Sequence, residues 1–217
     1  MPGHSQTVRN ITESKIRIIA GQWRGRKLTV GNENGLRPTS DRLRETLFNW
    51  LMADIPGAKV LDLFAGTGAL GIEALSRGAH SAKFLETNGT TASRLRDNLR
   101  LLHADPSSVV EMDSLQWLQQ HPIDELSPTT QSKSSLDQAY DIVFIDPPFD
   151  LNLWGNCIEN LLKSSLIDNG SLIYIEKPRA VDVNIPSSLQ HLKSKNLGAI
   201  QASLYQKQHS SYSCIPD

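Results

Sequence analysis

The sequence has few of the features that mark secreted, disulfide-bonded or membrane proteins. It contains only two cysteines, Cys157 and Cys214, which lie far apart and match no metal-ligand spacing. Its longest apolar runs, such as 60–64 and 142–145, are much shorter than the roughly 20 residues that span a bilayer. The polar N-terminus lacks the apolar segment of a signal peptide. We therefore expect a soluble cytoplasmic protein with no metal site and no membrane partner.

The sequence also has little net charge, but its charge is unevenly distributed. The formal net charge is −1 over 217 residues. Residues 1–50 contain nine Lys or Arg residues and four Asp or Glu residues, whereas the rest of the chain has more acids than bases. A basic arm on an acidic body is typical of proteins that contact phosphate groups at one end. An ordinary solvated face would give the same distribution, and charge alone does not separate the two interpretations.

The patterning predicts a small N-terminal extension, residues 1–57, before one larger domain. Alternating apolar and basic positions in residues 15–30 predict a β-hairpin whose turn runs from Gly21 to Gly25. Residues 39–52 predict an amphipathic helix. Its expected apolar face consists of Leu43, Leu47, Trp50 and Leu51, with Arg42, Arg44 and Glu45 mostly elsewhere.

The larger domain, residues 58–217, alternates short apolar runs with helical segments, which predicts a parallel sheet of βαβ units. The predicted strands are 59–64, 82–86, 108–112, 140–145 and 171–176, and the predicted helices lie near 69–77, 89–103, 114–120 and 151–165. Two further strands, 189–195 and 198–206, are expected to form a hairpin with a tight turn at Asn196 to Gly198. Residues 120–138 are rich in Ser, Thr, Gln and Pro and predict a mobile surface insertion.

The first candidate motif, VLDLFAGTGALG at 60–71, predicts a strand that ends in a glycine-interrupted turn and opens a helix. Glycines let a backbone approach a ligand closely, and a helix N-terminus offers N–H groups to an anion. Because Asp62 would repel a pyrophosphate, the methionine end of S-adenosylmethionine, with an ammonium and a carboxylate, fits better. We expect a side chain at Gly68 to fill the space this ligand needs. A tight turn without a ligand is the alternative.

Two further acids follow the next two predicted strands. Glu86 stands where a nucleotide-binding sheet carries a carboxylate that accepts hydrogen bonds from ribose hydroxyls. Asp113 stands where an acid can accept an adenine amino hydrogen, while the Ser114 N–H faces a ring nitrogen. A solvated strand-end acid is the alternative for Glu86. Asp113 can equally cap the next helix, and both of its roles can coexist.

After the glycine turn and these two acids, a fourth motif, DIVFIDPPF at 141–149, indicates which reaction the site supports. A buried strand delivers Asp146 to the edge where open α/β sheets bind ligands, and two prolines then restrict the backbone. The Asp146 carboxylate and the Pro147 carbonyl would converge on the two hydrogens of an exocyclic amine. Phe149 would stack on a base, which is worth about 1–3 kcal/mol. A rigid turn without catalytic chemistry is the alternative.

From about Arg17 to Lys207 the chain resembles the RsmD-type small-subunit ribosomal RNA guanine-N2 methyltransferases. The segments that carry the resemblance are RIIAGxWRGR at 17–26, LRPTxDRxRE at 36–45, LDLFAGTG at 61–68, DPPF at 146–149 and LY at 204–205. The resemblance implies a Rossmann-like class I methyltransferase fold with a mainly parallel seven-stranded sheet and a C-terminal antiparallel hairpin. It also implies methyl transfer from S-adenosylmethionine to N2 of a guanine in 16S ribosomal RNA, within the small subunit or its assembly intermediate.

The resemblance also assigns roles to residues. The catalytic residues would be Asp146, Pro147 and Phe149. The cofactor-binding residues would be Thr39, Asp62, Phe64, Ala65, Gly66, Thr67, Gly68, Glu86, Asp113 and Ser114. The RNA-binding residues would be Arg17, Trp23, Arg24, Arg26, Lys27, Arg37 and Arg42. Arg37 and Arg42 can instead contact the cofactor, with Thr39 or Arg42 near the methionine carboxylate, and Trp23 can simply pack the hairpin. Asn88 and the long 120–138 insertion depart from the family pattern.

Two other enzyme classes share the fourth motif. A DNA adenine or cytosine amino-methyltransferase usually needs a separate base-reading domain, and fewer than sixty residues precede the predicted core. A protein glutamine N-methyltransferase would gain little from a basic arm. A non-catalytic RNA-binding module would not need Asp146 together with the glycine turn.

Overall fold

The computed structural model describes residues 14–30, 41–123 and 139–208. Arg37, Thr39 and most of the expected insertion at 120–138 therefore lie outside the described residues. Within those ranges, none of the helices has the length and apolar character needed to cross a membrane.

A seven-stranded sheet forms the centre of the molecule, as the sequence predicts. Its strands are β3 (Lys59–Asp62), β4 (Ser81–Glu86), β5 (Val109–Glu111), β6 (Ile142–Ile145), β7 (Leu172–Pro178), β8 (Leu189–Leu197) and β9 (Ile200–Lys207). Their order across the sheet is β5-β4-β3-β6-β7-β9-β8. The first five in this order are parallel, and β9 and β8 form the antiparallel hairpin.

The helices of this domain connect the parallel strands, which is why those strands are buried on both faces. They are α2 (Ala69–Ser76), α3 (Gly89–Leu101), α4 (Ser114–Gln119) and α5 (Trp154–Leu162). One face of the sheet carries Phe84, Phe144 and Tyr174 in a hydrophobic cluster with α2 and α3. The other face packs against α4 and α5.

The C-terminal hairpin turns two residues later than the sequence suggests. β8 continues to Leu197, so that Asn196 pairs with Gln201 in the ladder and the turn consists of Gly198 and Ala199. Gly198 has a φ of +58°, the left-handed conformation that glycine adopts at low cost. The predicted turn at Asn196 to Gly198 is therefore wrong by its first two residues.

The N-terminal extension packs on the same core as the sheet. Its strands β1 (Ser14–Arg17) and β2 (Lys27–Val30) pair in an antiparallel hairpin, and helix α1 (Asp41–Trp50) follows. Residues from both parts of the extension join the hydrophobic cluster of the sheet, namely Ile18, Leu28, Leu43, Leu47, Phe48 and Leu51.

The expected orientation of Arg44 is wrong. Its side chain is 1% exposed, and its Nη2 donates to the Asp41 carboxylate at 2.6 Å and to the Arg17 carbonyl oxygen at 3.0 Å. The hairpin covers this side of α1, which a helical pattern read in isolation cannot reveal. Phe48 is fully buried, whereas Trp50, expected on the apolar face, is only half-buried.

The hairpin lies along α2, and its two ends contact opposite ends of that helix. Near the start of α2, Ile16 packs against Ala69. Near its end, the buried Glu73 carboxylate accepts hydrogen bonds from the N–H groups of Ile19 and Ala20 at 2.8 and 3.0 Å. The Ser76 hydroxyl also accepts from the Trp23 N–H at 3.1 Å. The hairpin turn at 21–25 therefore lies about 10 Å along α2 from the glycine turn, which is the Gly66–Gly68 segment before that helix.

Candidate active site

A cavity of about 650 Å³ opens at the carboxyl ends of the parallel strands. The switch in strand order on either side of β3 places it where open α/β sheets bind ligands. With the exception of Gly68, all described residues that the sequence suggests for cofactor binding and catalysis line this cavity. They are Asp62, Phe64, Ala65, Gly66, Thr67, Glu86, Asp113, Ser114, Asp146, Pro147 and Phe149.

Asp62 holds the glycine turn closed. Its carboxylate accepts a hydrogen bond from the Gly71 N–H at 3.1 Å, and the Phe64 N–H also favours its charged form. Burial opposes that form more strongly, with a smaller contribution from the Glu86 charge, and raises the pKa of Asp62 to about 7. Asp62 is thus a buried carboxyl that is half-ionised near neutral pH at the cavity wall.

Gly68 serves packing and backbone conformation, and the expected position of its side chain is wrong. A Cβ at this position would come within 2.4 Å of Leu95 Cδ1 and 2.9 Å of Ile72 Cδ1, both of which are buried in the core. Its φ is +80°, so a substitution is strained in addition. A side chain here would disturb the contact between α2 and α3, and it would not fill the cavity.

Glu86 ends β4 at the cavity and also orders the loop after it. Its Oε1 accepts a hydrogen bond from the Asn88 N–H at 2.7 Å. Asn88, the departure from the family pattern, caps α3 because its Oδ1 accepts from the Thr91 N–H at 2.9 Å.

Asp113 caps α4, which confirms one of its two expected roles. Its Oδ1 accepts from the Gln116 N–H at 2.9 Å, and Asp113 also lines the cavity. The neighbouring Ser114 is buried, and its hydroxyl donates a hydrogen bond to the Leu63 carbonyl oxygen. Ser114 therefore ties the start of α4 to the chain beside the glycine turn, while Asp113 caps the helix itself.

The DPPF segment begins directly after β6, whose four residues are all buried. Asp146 is half-buried, Pro147 is buried, and Phe149 is half-buried at the cavity wall. The Phe149 ring lies 5.9 Å from the ring of Trp154, centroid to centroid, at an interplanar angle of 43°. Because Trp154 is fully buried, this contact limits the orientations open to Phe149.

Sequence reasoning missed Glu176, a second carboxylate beside Asp146. Glu176 is 5% exposed and lines the cavity. It belongs to β7, next to β6, and Tyr174 donates a hydrogen bond from its hydroxyl to Glu176 Oε2 at 3.0 Å. The available signal is the acid that ends the apolar run LIYIE at 172–176, since an acid at the end of a buried parallel strand faces the ligand-binding edge of the sheet.

The described basic candidates lie on the surface of the extension. Arg17, Arg24, Arg26, Lys27 and Arg42 are exposed. The Arg26 guanidinium donates to the Leu101 carbonyl oxygen at 3.2 Å, which fixes the hairpin turn against the end of α3. Trp23 is half-buried and packs against the hydrophobic cluster, so packing of the hairpin is one of its roles. Arg37 and Thr39 lie outside the described residues.

No group of three or more metal-ligating side chains was found among the described residues. The cavity is defined instead by carboxylates, backbone turns and aromatic faces.

Comparison with known proteins identifies the family. The family model described as Conserved hypothetical protein 95 matches residues 16–206. The ribosomal RNA small subunit methyltransferase D of Haemophilus influenzae is 42% identical over 196 residues, which cover 89% of this chain and 95% of that protein. Its namesake from Escherichia coli is 38% identical over 208 residues, 95% of this chain and 94% of that protein. The chain belongs to this methyltransferase family.

Solved structures agree with this assignment. A putative methyltransferase from Escherichia coli superposes with a TM-score of 0.77 and 36% identity, covering 90% of this chain and 99% of that one. A putative methylase from Haemophilus influenzae gives a TM-score of 0.70 at 38% identity with the same coverage. The chain is therefore a methyltransferase with the class I fold, as the sequence motifs predict.

Proposed function

We propose that this enzyme transfers a methyl group from S-adenosylmethionine to the exocyclic N2 amine of a guanine in small-subunit ribosomal RNA. One observation carries the proposal: Asp146 and Pro147, at the end of buried β6, line the same cavity as the glycine turn. An acceptor pair for an amine thus stands beside a loop suited to the methyl donor. The names of the curated relatives indicate the RNA substrate.

The cavity fits S-adenosylmethionine in size and in the chemistry of its walls. About 650 Å³ is within the usual range for a pocket that takes a cofactor of this size. In this proposal Glu86 accepts hydrogen bonds from the ribose, Asp113 accepts one from the adenine amine, and Asp62 favours the methionine ammonium. When bound, the cofactor supplies an electrophilic methyl group on a sulfonium, so the protein need not activate the donor.

The protein instead has to help a weak nucleophile. The lone pair of an exocyclic guanine amine is delocalised into the ring, and attack requires the nitrogen to become tetrahedral. The Asp146 carboxylate and the Pro147 carbonyl accept its hydrogens as positive charge develops, which stabilises the transition state. The proton of the product ammonium then leaves to Asp146 or to water. Phe149, held by Trp154, stacks on the base and keeps it in line.

Substrate specificity separates this proposal from the DNA and protein alternatives. Purified enzyme is incubated with labelled S-adenosylmethionine and, in parallel, with ribosomal RNA, small ribosomal subunits, duplex DNA and release-factor protein. We expect label only in the two ribosomal samples, and N2-methylguanosine after nuclease digestion and mass spectrometry. Label in DNA or in glutamine of the release factor would overturn the proposal, and so would a methylated base other than guanine.

The basic extension is the proposed RNA-binding surface. Arg17, Arg24, Arg26, Lys27 and Arg42 are exposed there, and exposed guanidinium and ammonium groups contact phosphates without reading sequence. Arg37 belongs to the same proposal. The small subunit or its assembly intermediate is the proposed partner, and the cytoplasm is the compartment in which they meet.

A further inference from the structure

Glu176 is a buried carboxylate to which no motif assigns a role. In the sheet, Ile145 of β6 pairs with Ile175 of β7, so Asp146 and Glu176 follow at the same level of two neighbouring parallel strands. Side chains at the same level of neighbouring strands point to the same face. Both residues line the cavity, and the charges of both act on Tyr174. Two carboxylates therefore stand side by side where the amine of the substrate is expected.

Two buried aromatic donors fix the position of Glu176. The Tyr174 hydroxyl donates to Glu176 Oε2 at 3.0 Å, and the Trp154 indole N–H donates to the Glu176 carbonyl oxygen at 2.7 Å. Burial, and then the charges of Glu176 and Asp146, raise the pKa of Tyr174 well above its ordinary value, so its hydroxyl remains a donor. Both aromatic residues are fully buried, so Tyr174 holds the Glu176 carboxylate and Trp154 holds the Glu176 backbone.

A carboxylate at this position is costly for the fold. It ends a run of buried apolar residues in β7, and burial of a charge disfavours folding unless donors compensate for the lost water. Donors from a bound ligand at the cavity would add such compensation. The edge of guanine offers two adjacent kinds of donor, the ring N1–H and the exocyclic N2 amine.

We infer that Glu176 accepts the N1–H of the target guanine while Asp146 and Pro147 accept the hydrogens of its N2 amine. This inference rests on the proposed function and names the element that selects the base. Adenine and cytosine present an unprotonated ring nitrogen beside their amines, and its lone pair would face the Glu176 carboxylate. Glu176 therefore acts as a specificity-determining residue, and Tyr174 acts through it as a positioning residue.

The test uses a guanine analogue that keeps the reacting amine. Once the methylated nucleotide has been mapped, it is replaced by 2-aminopurine in RNA reconstituted into small subunits. This base retains the amine at C2 but carries an unprotonated N1. We expect the wild-type enzyme to methylate it about 10- to 100-fold less efficiently than guanine in kcat/KM, as for loss of a hydrogen bond to a charged group.

Glu176→Gln should shrink that preference by about tenfold, because Tyr174 can donate to the amide oxygen while the amide NH2 donates to the unprotonated N1. Asp150→Asn is the matched control, since Asp150 is an exposed acid of the same cavity, and it should leave the preference unchanged. Tyr174→Phe should lower the preference by a few-fold and covers the case in which Glu176→Gln does not fold. Melting temperature and cofactor affinity report folding in each variant.

An equal loss on both substrates, with the preference unchanged in Glu176→Gln and in Tyr174→Phe, would overturn the inference and leave Glu176 a structural role. Failure of the proposed function looks different, because the wild-type enzyme would then place no methyl group on guanine N2 in any ribosomal sample.

Discussion

At the scale of single residues, Asp146 is the position where a small change has the largest expected effect on chemistry. Asp146→Ala removes an acceptor that is already oriented at the end of β6, and we expect a loss on the order of 10²–10³ in the single-turnover methylation rate. Asp146→Asn keeps one acceptor oxygen and should retain part of the activity. Because Asp146 is only half-buried at a strand end, neither change should unfold the protein.

Cofactor affinity measured by calorimetry is the control for the Asp146 variants and should stay close to the wild-type value. Near-normal turnover by Asp146→Ala would mean that DPPF is only a rigid turn, and that the amine-transfer mechanism is wrong.

Asp62 makes the stability of the protein depend on pH. Its pKa is about 7 in the folded protein against 3.8 for the unperturbed group, so the folded state binds more protons in between. The protonated Asp62 therefore stabilises the folded state relative to the unfolded state. This contribution to the free energy of unfolding is fully present below pH 4 and is lost as pH rises through 7, and about 2–3 kcal/mol of it is lost between pH 5 and pH 8. Asp62→Asn carries no charge, so its stability relative to wild type should improve by that amount over the same interval. Chemical denaturation of both proteins at the two pH values measures this.

Cofactor binding should change in the opposite direction. An ammonium favours the ionised form of Asp62, so the affinity of the wild-type enzyme for S-adenosylmethionine should rise from pH 5 to pH 8 more steeply than that of Asp62→Asn. Parallel pH profiles for the two proteins would show that Asp62 only closes the turn through Gly71 and Phe64 and does not contact the ammonium.

At the scale of elements, the hairpin turn offers two glycines with similar backbone angles and different surroundings. Gly21 and Gly25 have φ values of +81° and +84°. A Cβ at Gly21 would lie 1.8 Å from the Ser76 carbonyl oxygen, whereas a Cβ at Gly25 meets nothing within 4 Å. Both alanine variants carry left-handed strain of about 1–2 kcal/mol. Only Gly21→Ala must also push the hairpin away from α2, which we expect to cost about 1–3 kcal/mol more.

Chemical denaturation measures that difference, and trypsin cleavage at Arg24 and Arg26 reports hairpin release directly. Cleavage should be faster in Gly21→Ala than in Gly25→Ala. Equal stability and equal cleavage in the two variants would contradict the docking of the turn on α2.

The basic turn of the same hairpin is expected to hold RNA through phosphates. Replacing Arg24, Arg26 and Lys27 together by Ala should weaken RNA binding and flatten its salt dependence, by roughly 0.7–0.9 units of logarithmic slope for each lost contact. Cofactor affinity should hardly change, because the turn lies about 10 Å from the glycine turn along α2. RNA binding measured at several salt concentrations gives the slope.

The control is a variant with three exposed lysines replaced elsewhere, Lys163, Lys193 and Lys195, which changes the net charge equally. If the salt dependence of RNA binding has the same slope in the hairpin variant and in this control, the basic residues of the hairpin are an ordinary solvated surface and do not contact RNA phosphates.

At the scale of the whole molecule, the sequence predicts what local periodicity and strand ends determine. The parallel strands, their connecting helices and the C-terminal hairpin are confirmed because buried strands and amphipathic helices leave distinct apolar patterns. The acids at the strand ends meet at one cavity because all parallel strands end at the same edge of the sheet. This rule predicts the positions at the cavity of four acids, Asp62, Glu86, Asp113 and Asp146.

The errors concern contacts between segments that are distant in sequence. Arg44 is buried because a hairpin some twenty residues earlier covers that side of α1. The direction of a Gly68 side chain depends on Leu95 and Ile72, which are brought near by the packing of α3 on α2. The position of Glu176 beside Asp146 depends on the register between β6 and β7. None of these three relations leaves a trace in local hydrophobic patterning.

The position of the hairpin along α2 also bears on the form of the substrate. A helix is stiff over two turns, so α2 acts as a spacer of fixed length between the basic turn and the site of methyl transfer. A rigid spacer fixes the distance between the proposed phosphate contacts and the methylated base, and this distance does not depend on the base sequence of the RNA. We therefore expect the enzyme to tolerate different bases around its target guanine. We do not expect it to tolerate a different conformation of the RNA backbone between that guanine and the phosphates that contact the basic residues of the hairpin. In the proposed small-subunit substrate, bound ribosomal proteins would restrict that conformation, and we therefore expect a higher kcat/KM on partly assembled subunits than on naked RNA.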